Sequence, residues 1–185
     1  MNFIKKNINL AMVIVFAVTM FFSCKNNFKE VQKIGISENE PIGVAEDINL
    51  KYTDSGKIKA ILLSPKMLDY QNREEFSFFE FPNGINLELF DDDNQKSTVV
   101  ADYAIVYNKT DLMDLQGHVV IATKDNDTLR AEQLYYDQKK EWLFTNEPVS
   151  FRKGLDLING NGFDSNSKFT NAEVLEINGI ITVNE

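Results

Sequence analysis

Between Ser97 and Phe151 the chain states one pattern twice, and that pattern admits few folds. Apolar runs alternate with polar residues and are cut by short turns rich in Asp, Asn and Gly, as strands joined by tight connections are. Ala101-Asp102-Tyr103-Ala104-Ile105-Val106-Tyr107 leads to Leu115-Gln116-Gly117-His118-Val119. Thirty residues on, Ala131-Glu132-Gln133-Leu134-Tyr135-Tyr136-Asp137 leads to Pro148-Val149-Ser150-Phe151. Each copy has an alanine, an apolar residue three on, and an aromatic five or six on. A fainter copy, Ser64-Pro65-Lys66-Met67-Leu68-Asp69-Tyr70, lies thirty-seven residues before the first. One hairpin cannot bury its own apolar face, so the repetition predicts a single sheet system wound from similar hairpins.

The flanking stretches keep the same period. Ile48, Leu50 and Tyr52 share one face and Asn49 and Lys51 the other, before the turn Asp54-Ser55-Gly56. Ile58, Ala60 and Leu62 resume the inward face. In Phe78-Phe79-Glu80-Phe81-Pro82 an inward Glu80 would be an uncompensated buried carboxylate, so Phe79 and Phe81 point inward. Pro82 marks a strand end or a sheet edge. After Asn83-Gly84, Ile85, Leu87 and Leu89 alternate with Asn86 and Glu88. In the second repeat Leu134 and Tyr136 face inward, opposite Gln133, Tyr135 and Asp137. Gly160-Asn161-Gly162 predicts a bulge or a close backbone approach, and a last apolar segment runs from Val174 to Val183. No twelve-residue stretch beyond residue 23 holds a helical period, so the fold class is all-β.

The start of the chain is different. Lys5 and Lys6 precede thirteen residues, Leu10 to Phe22, of which only Thr19 is polar; that is the length of a signal-peptide core and short for a membrane span. Ser23-Cys24 closes it, and Cys24 is the only cysteine. A small residue before a lone cysteine at this place resembles the lipobox of bacterial lipoproteins, although Phe21 and Phe22 stand where Leu and a small residue are commoner. An acylated Cys24 fits best, ahead of an uncleaved anchor helix or a plain buried cysteine. Residues 1–23 are accordingly a signal peptide or anchor, 24–45 a polar tether, and 46–185 the body.

Beyond residue 23, seventeen Lys and Arg face twenty-eight acids, a formal charge of −11, and nothing concentrates positive charge for a nucleic acid. His118 is the only histidine, which leaves a zinc cluster or a Ser/His/Asp triad nothing to be built from. Gly117 and Val119 make it a strand-edge residue. Asp91 and Asp93 sit at positions one and three of a calcium loop, yet position six is Lys96 where Gly is needed and position twelve is Asp102, so the run is a solvated turn. No catalytic constellation assembles, and the chain reads as a non-enzyme needing no cofactor or metal.

Several stretches taken together resemble the LptC family, the periplasmic bridge component of lipopolysaccharide export. They are the amino-terminal anchor, Asp54-Ser55-Gly56 with the segment to Tyr70, and Phe79-Glu80-Phe81-Pro82. Val100-Ala101-Asp102-Tyr103-Ala104, Leu115 to Val119, Leu129 to Tyr136 and Asn171-Ala172-Glu173 complete them. The likeness covers about Glu46 to Val183 and rests on order and spacing rather than on any single motif.

The resemblance implies a twisted β-jellyroll of antiparallel strands, open along one side, whose apolar interior carries the acyl chains of lipopolysaccharide. On the faces read above, the groove is formed by Phe79 and Phe81, by Ile85, Leu87 and Leu89, and by Val119 and Ile121. Leu134, Tyr136, Val149 and Phe151 complete it. The family further implies a seat on an LptB2FG-type ABC transporter at the periplasmic face of the inner membrane, and edge-to-edge pairing with an LptA-like bridge protein. Ala172, Val174, Ile177, Ile180, Ile181 and Val183 form that partner edge, since no charge after Glu176 protects it before Glu185. Familiar members use a transmembrane helix where this chain has Cys24. The rival expectation is a closed β-sandwich, a structural or adhesive lipoprotein of the outer membrane carrying no lipid inside.

Overall fold

Alternating residues on pleated strands put their apolar half on one face, and among the described residues eleven strands follow one another with no helix between them. A computed structural model describes residues 40–178, all within the compact unit Glu38–Glu185. The strands are β1 (Gly43–Asp54), β2 (Lys57–Asp69), β3 (Phe78–Phe81), β4 (Ile85–Phe90), β5 (Lys96–Ala101) and β6 (Tyr103–Tyr107). They continue as β7 (Leu112–Ala122), β8 (Thr128–Asp137), β9 (Trp142–Lys153), β10 (Asp156–Asn166) and β11 (Ala172–Val174). All pairings are antiparallel and join one sheet. The fold is all-β and jellyroll-like. β1 opens at Gly43, inside the stretch read as tether, because Gly43, Val44 and Ala45 pair with Asp69, Leu68 and Met67.

The topology is a meander of bent strands. β4 pairs β5 while β3 pairs β6, and β7 pairs β6 with its first half and β5 with its second. β3–β4 and β5–β6 are thus two strands, each broken once, at Pro82-Asn83-Gly84 and at Asp102. Register shifts fall between Gln116 and Val119 in β7, between Ala131 and Tyr135 in β8, and between Asn161 and Phe163 in β10. These breaks lie opposite one another, so the sheet bends along one line. Gly84 serves that line with φ +85° and no room for a side chain, since a Cβ there would sit 2.7 Å from the Ala101 carbonyl oxygen. Ser64 ties β2 to the corner by donating to the Gly84 carbonyl at 2.7 Å.

His118 sits in the middle of β7, not at an edge. Gly117 and His118 both have positive φ, +71° and +43°, and form the β7 bulge. The Asp102 amide donates to the Gly117 carbonyl across the corner.

Bending brings distant strands together. β4 and β9 are four strand spacings apart, about 19 Å in a flat sheet. Leu89 of β4 and Leu143 of β9 nevertheless line the same interior space. One face of the sheet therefore wraps around a single core, and the other faces outward.

Candidate functional site

The interior comes first because most of the sequence-predicted residues lie in it. Phe81, Ile85, Val119, Ile121, Leu134, Val149 and Phe151 are buried in one apolar cluster, and Phe79, Leu87 and Tyr136 pack against it. Leu89 borders the space between Leu87, Met113 and Tyr136. Outward partners fall on the other side: the Tyr103 hydroxyl donates to Glu80 at 2.9 Å, and Tyr135 stacks on Phe144 at 5.3 Å. The space bordered by Leu87, Leu89, Met113 and Tyr136 is small, 40 Å³. Burial raises the phenol pKa of Tyr136, which keeps this lining neutral.

Sequence reasoning missed part of this lining. Val99, Ala101, Ala104, Leu115, Leu129, Ala131, Leu143, Phe163 and Phe169 belong to the same cluster. Phe151, Phe163 and Phe169 form an aromatic triad with centroids 5.2 to 5.7 Å apart, two of the three contacts edge to face. Ala101 and Ala131 carried a signal, since both open the repeats. Phe169 carried none, because it lies in a polar turn.

Among the described residues the sheet ends in two edges: β1 pairs β2 alone and β11 pairs β10 alone. β1 is twelve residues long; its Val44, Leu50 and Tyr52 are 57%, 53% and 64% exposed, so Leu50 and Tyr52 are not buried with Ile48, and the edge carries Glu46, Lys51 and a left-handed Asp47. At the other edge Ala172 and Val174 turn their side chains into the core. The segment read as one strand from Val174 to Val183 breaks after Val174, where Glu176 adopts φ +42°. Ile177 touches β10 through an isolated bridge to Gly160 and is 52% exposed. Cys24, Ile180, Ile181 and Val183 lie outside the described residues.

The outer face carries the polar chemistry. Asp114, 6% exposed, accepts the Gln116 and Gln133 side-chain amides at 2.8 and 2.9 Å. It alternates with Met113 and Leu115, so the sequence showed it as outward but gave no sign of its burial. His118 Nδ1 lies 2.6 Å from Asp102 Oδ2, and that hydrogen bond raises the imidazole pKa. Asp91 accepts the Asp93 and Gln95 amides and pairs with Lys124, whose hydrogen bond holds the Asp91 carboxyl below its ordinary range. That carboxylate is committed to its turn. Among the described residues no group of three or more His, Cys, Asp or Glu could hold a metal ion, and no helix is long and apolar enough to cross a membrane.

A protein-family model described as "Lipopolysaccharide-assembly, LptC-related" matches residues 10–181. No curated protein matches the chain.

Proposed function

The chain belongs to the LptC family, and on that premise we propose that it is a membrane-anchored periplasmic bridge that passes lipopolysaccharide through its apolar interior. Membership implies a non-enzymatic part in lipopolysaccharide transport, alongside an Lpt transporter and LptA-like proteins. The finer reading is ours. Residues 1–23 direct export, Cys24 carries the acyl anchor at the inner membrane, and residues 24 to about 42 tether the body. The β1 edge seats the LptB2FG-type transporter and the β11 edge pairs the LptA-like protein. Lipopolysaccharide acyl chains lie against Phe79, Leu87, Leu89 and Tyr136.

The observation that carries this reading is the pairing of one continuous apolar face with two edges, among the described residues, at opposite ends of the sheet. An apolar face wrapped by a single bent sheet suits an acyl chain, and sheet edges suit strand addition. One observation favours the rival, a closed sandwich with no lipid inside: the space bordered by Leu87, Leu89, Met113 and Tyr136 is 40 Å³, against roughly 300–1,000 Å³ for ligand pockets.

Photo-crosslinking in cells separates the two. A crosslinking residue at 79 or 134 is expected to capture lipopolysaccharide, and one at 80 or 135 is not. Absence of an adduct at both inward positions would leave the fold and remove the transport function.

A further inference from the structure

Every buried apolar side chain of the core but one lies in a strand, and the exception among the described residues is Phe169. It is 1% exposed, yet it sits in the turn between β10 and β11. Its backbone is left-handed, with φ +55°, a conformation a bulky residue holds only when its surroundings impose it. Ser167 of the same turn borders the residual interior space beside Tyr136 and Leu87. The ring packs edge to face against Phe151 and Phe163.

The turn is bonded within itself as one piece. Asn166 accepts the Thr170 and Asn171 amides on its side chain and donates to the Thr170 hydroxyl, and its carbonyl accepts the Phe169 amide. Two further bonds tie it to the sheet: the Ser167 amide donates to the Glu141 carbonyl at 2.9 Å, and Lys153 Nζ donates to the Phe169 carbonyl at 3.2 Å. A strand residue leaves the interior only by breaking ladder bonds on both sides. Phe169 leaves by releasing those two bonds and relaxing its own backbone.

We infer that Phe169 occupies the end of an acyl-chain subsite and that the turn Asn166–Asn171 is a flap that swings out when a chain enters. This rests on the transport reading and reconciles it with the small size of the space beside Tyr136. A withdrawn Phe169 ring vacates an apolar slot beside Phe151 and Phe163, at the turn whose Ser167 borders the space lined by Leu87, Met113 and Tyr136. The slot takes a hydrocarbon chain, because the rings of Phe151 and Phe163 wall it, while Lys153 and the turn's own Lys168 are exposed. The flap runs directly into β11, so chain entry and the state of that edge are mechanically linked.

The test uses full-length protein in cells, with a benzoylphenylalanine at position 136 and lipopolysaccharide adducts counted per folded molecule. Phe169→Ala removes the plug, and Lys153→Met releases the latch without touching the core. Both are expected to raise adduct yield about threefold, in proportion to the open fraction, and Phe169→Trp is expected to lower it. In the purified protein, lipopolysaccharide micelles should speed hydrogen exchange at Ser167 and Phe169 while Leu143 and Val149 stay protected. Adducts at 136 that ignore all three variants, or an exchange pattern that lipid leaves unchanged, would reduce Phe169 to packing. Adducts at 79 or 134 with none at 136 would also overturn the flap. No adduct at 79, 134 or 136 removes the transport function itself.

Discussion

A methyl group added at Gly160 should peel the last segment from the sheet without dissolving the core. In β10 a Cβ there would lie 2.5 Å from Val174 Cγ1 and closer still to the Leu175 carbonyl oxygen. Backbone is the obstacle, so no rotamer change relieves it. Three backbone bonds hold this segment around that point: Leu175 to Gly162 at 2.9 Å, Asn161 to Glu176 at 3.3 Å and Asn178 to Asn159 at 2.8 Å. At a net value of about 1 kcal/mol each, Gly160→Ala costs roughly 3 kcal/mol. That corresponds to about a hundredfold faster hydrogen exchange at Leu175 and Asn178 and a melting temperature lower by roughly 10 °C. Leu134 and Phe151 in the core should stay protected in peptide-resolved exchange. Gly43→Ala is the control: its Cβ meets only Asp69 Cβ at 3.5 Å, an ordinary contact, and Ala is favoured over Gly in a strand by about 0.5–1 kcal/mol. If Gly160→Ala leaves exchange at Leu175 and the melting temperature where they were, the close approach does not hold the segment, and the reasoning fails.

Two further outcomes follow from other parts of the chain. Cys24→Ser should leave an unprocessed precursor lacking the lipid mass in intact-mass spectra, and normal processing of that variant would refute the acyl anchor. The Asp102 hydrogen bond raises the folded-state pKa of His118 above its ordinary 6.5, so its stabilisation is complete below about pH 6.5 and is lost as pH rises through the folded value. Comparing melting temperatures at pH 6 and pH 8, wild type should lose more than His118→Asn. Asn tolerates the left-handed backbone here and does not titrate; the difference should shrink in high salt, as both groups are exposed.

The inward set was legible because alternation leaves little choice once a charged residue fixes the phase. Glu80 placed Phe79 and Phe81, and Gln133 and Asp137 placed Leu134 and Tyr136. Less legible was what broke the alternation. In a regular strand residues three apart face opposite sides, yet Ala101 and Ala104, Ala131 and Leu134, and Gly160 and Phe163 are buried in pairs. The motif of an alanine with an apolar residue three on, visible in both repeats, is therefore the footprint of the bend. Phe169 and Asp114 escaped for the opposite reason: each owes its burial to a group on another strand, Phe151 eighteen residues before in one case and Gln133 nineteen residues on in the other, and strand alternation holds no trace of that.

The bend also explains where the edges fall. A sheet folded across one line can enclose a core from a single meander, with no second sheet and no crossover to return the chain to its start. In a meander the first and last strands are the edges by topology alone. Among the described residues β1 and β11 are consequently the edges, and the repeat that writes the bend into the sequence also sets them at the two ends of one apolar face.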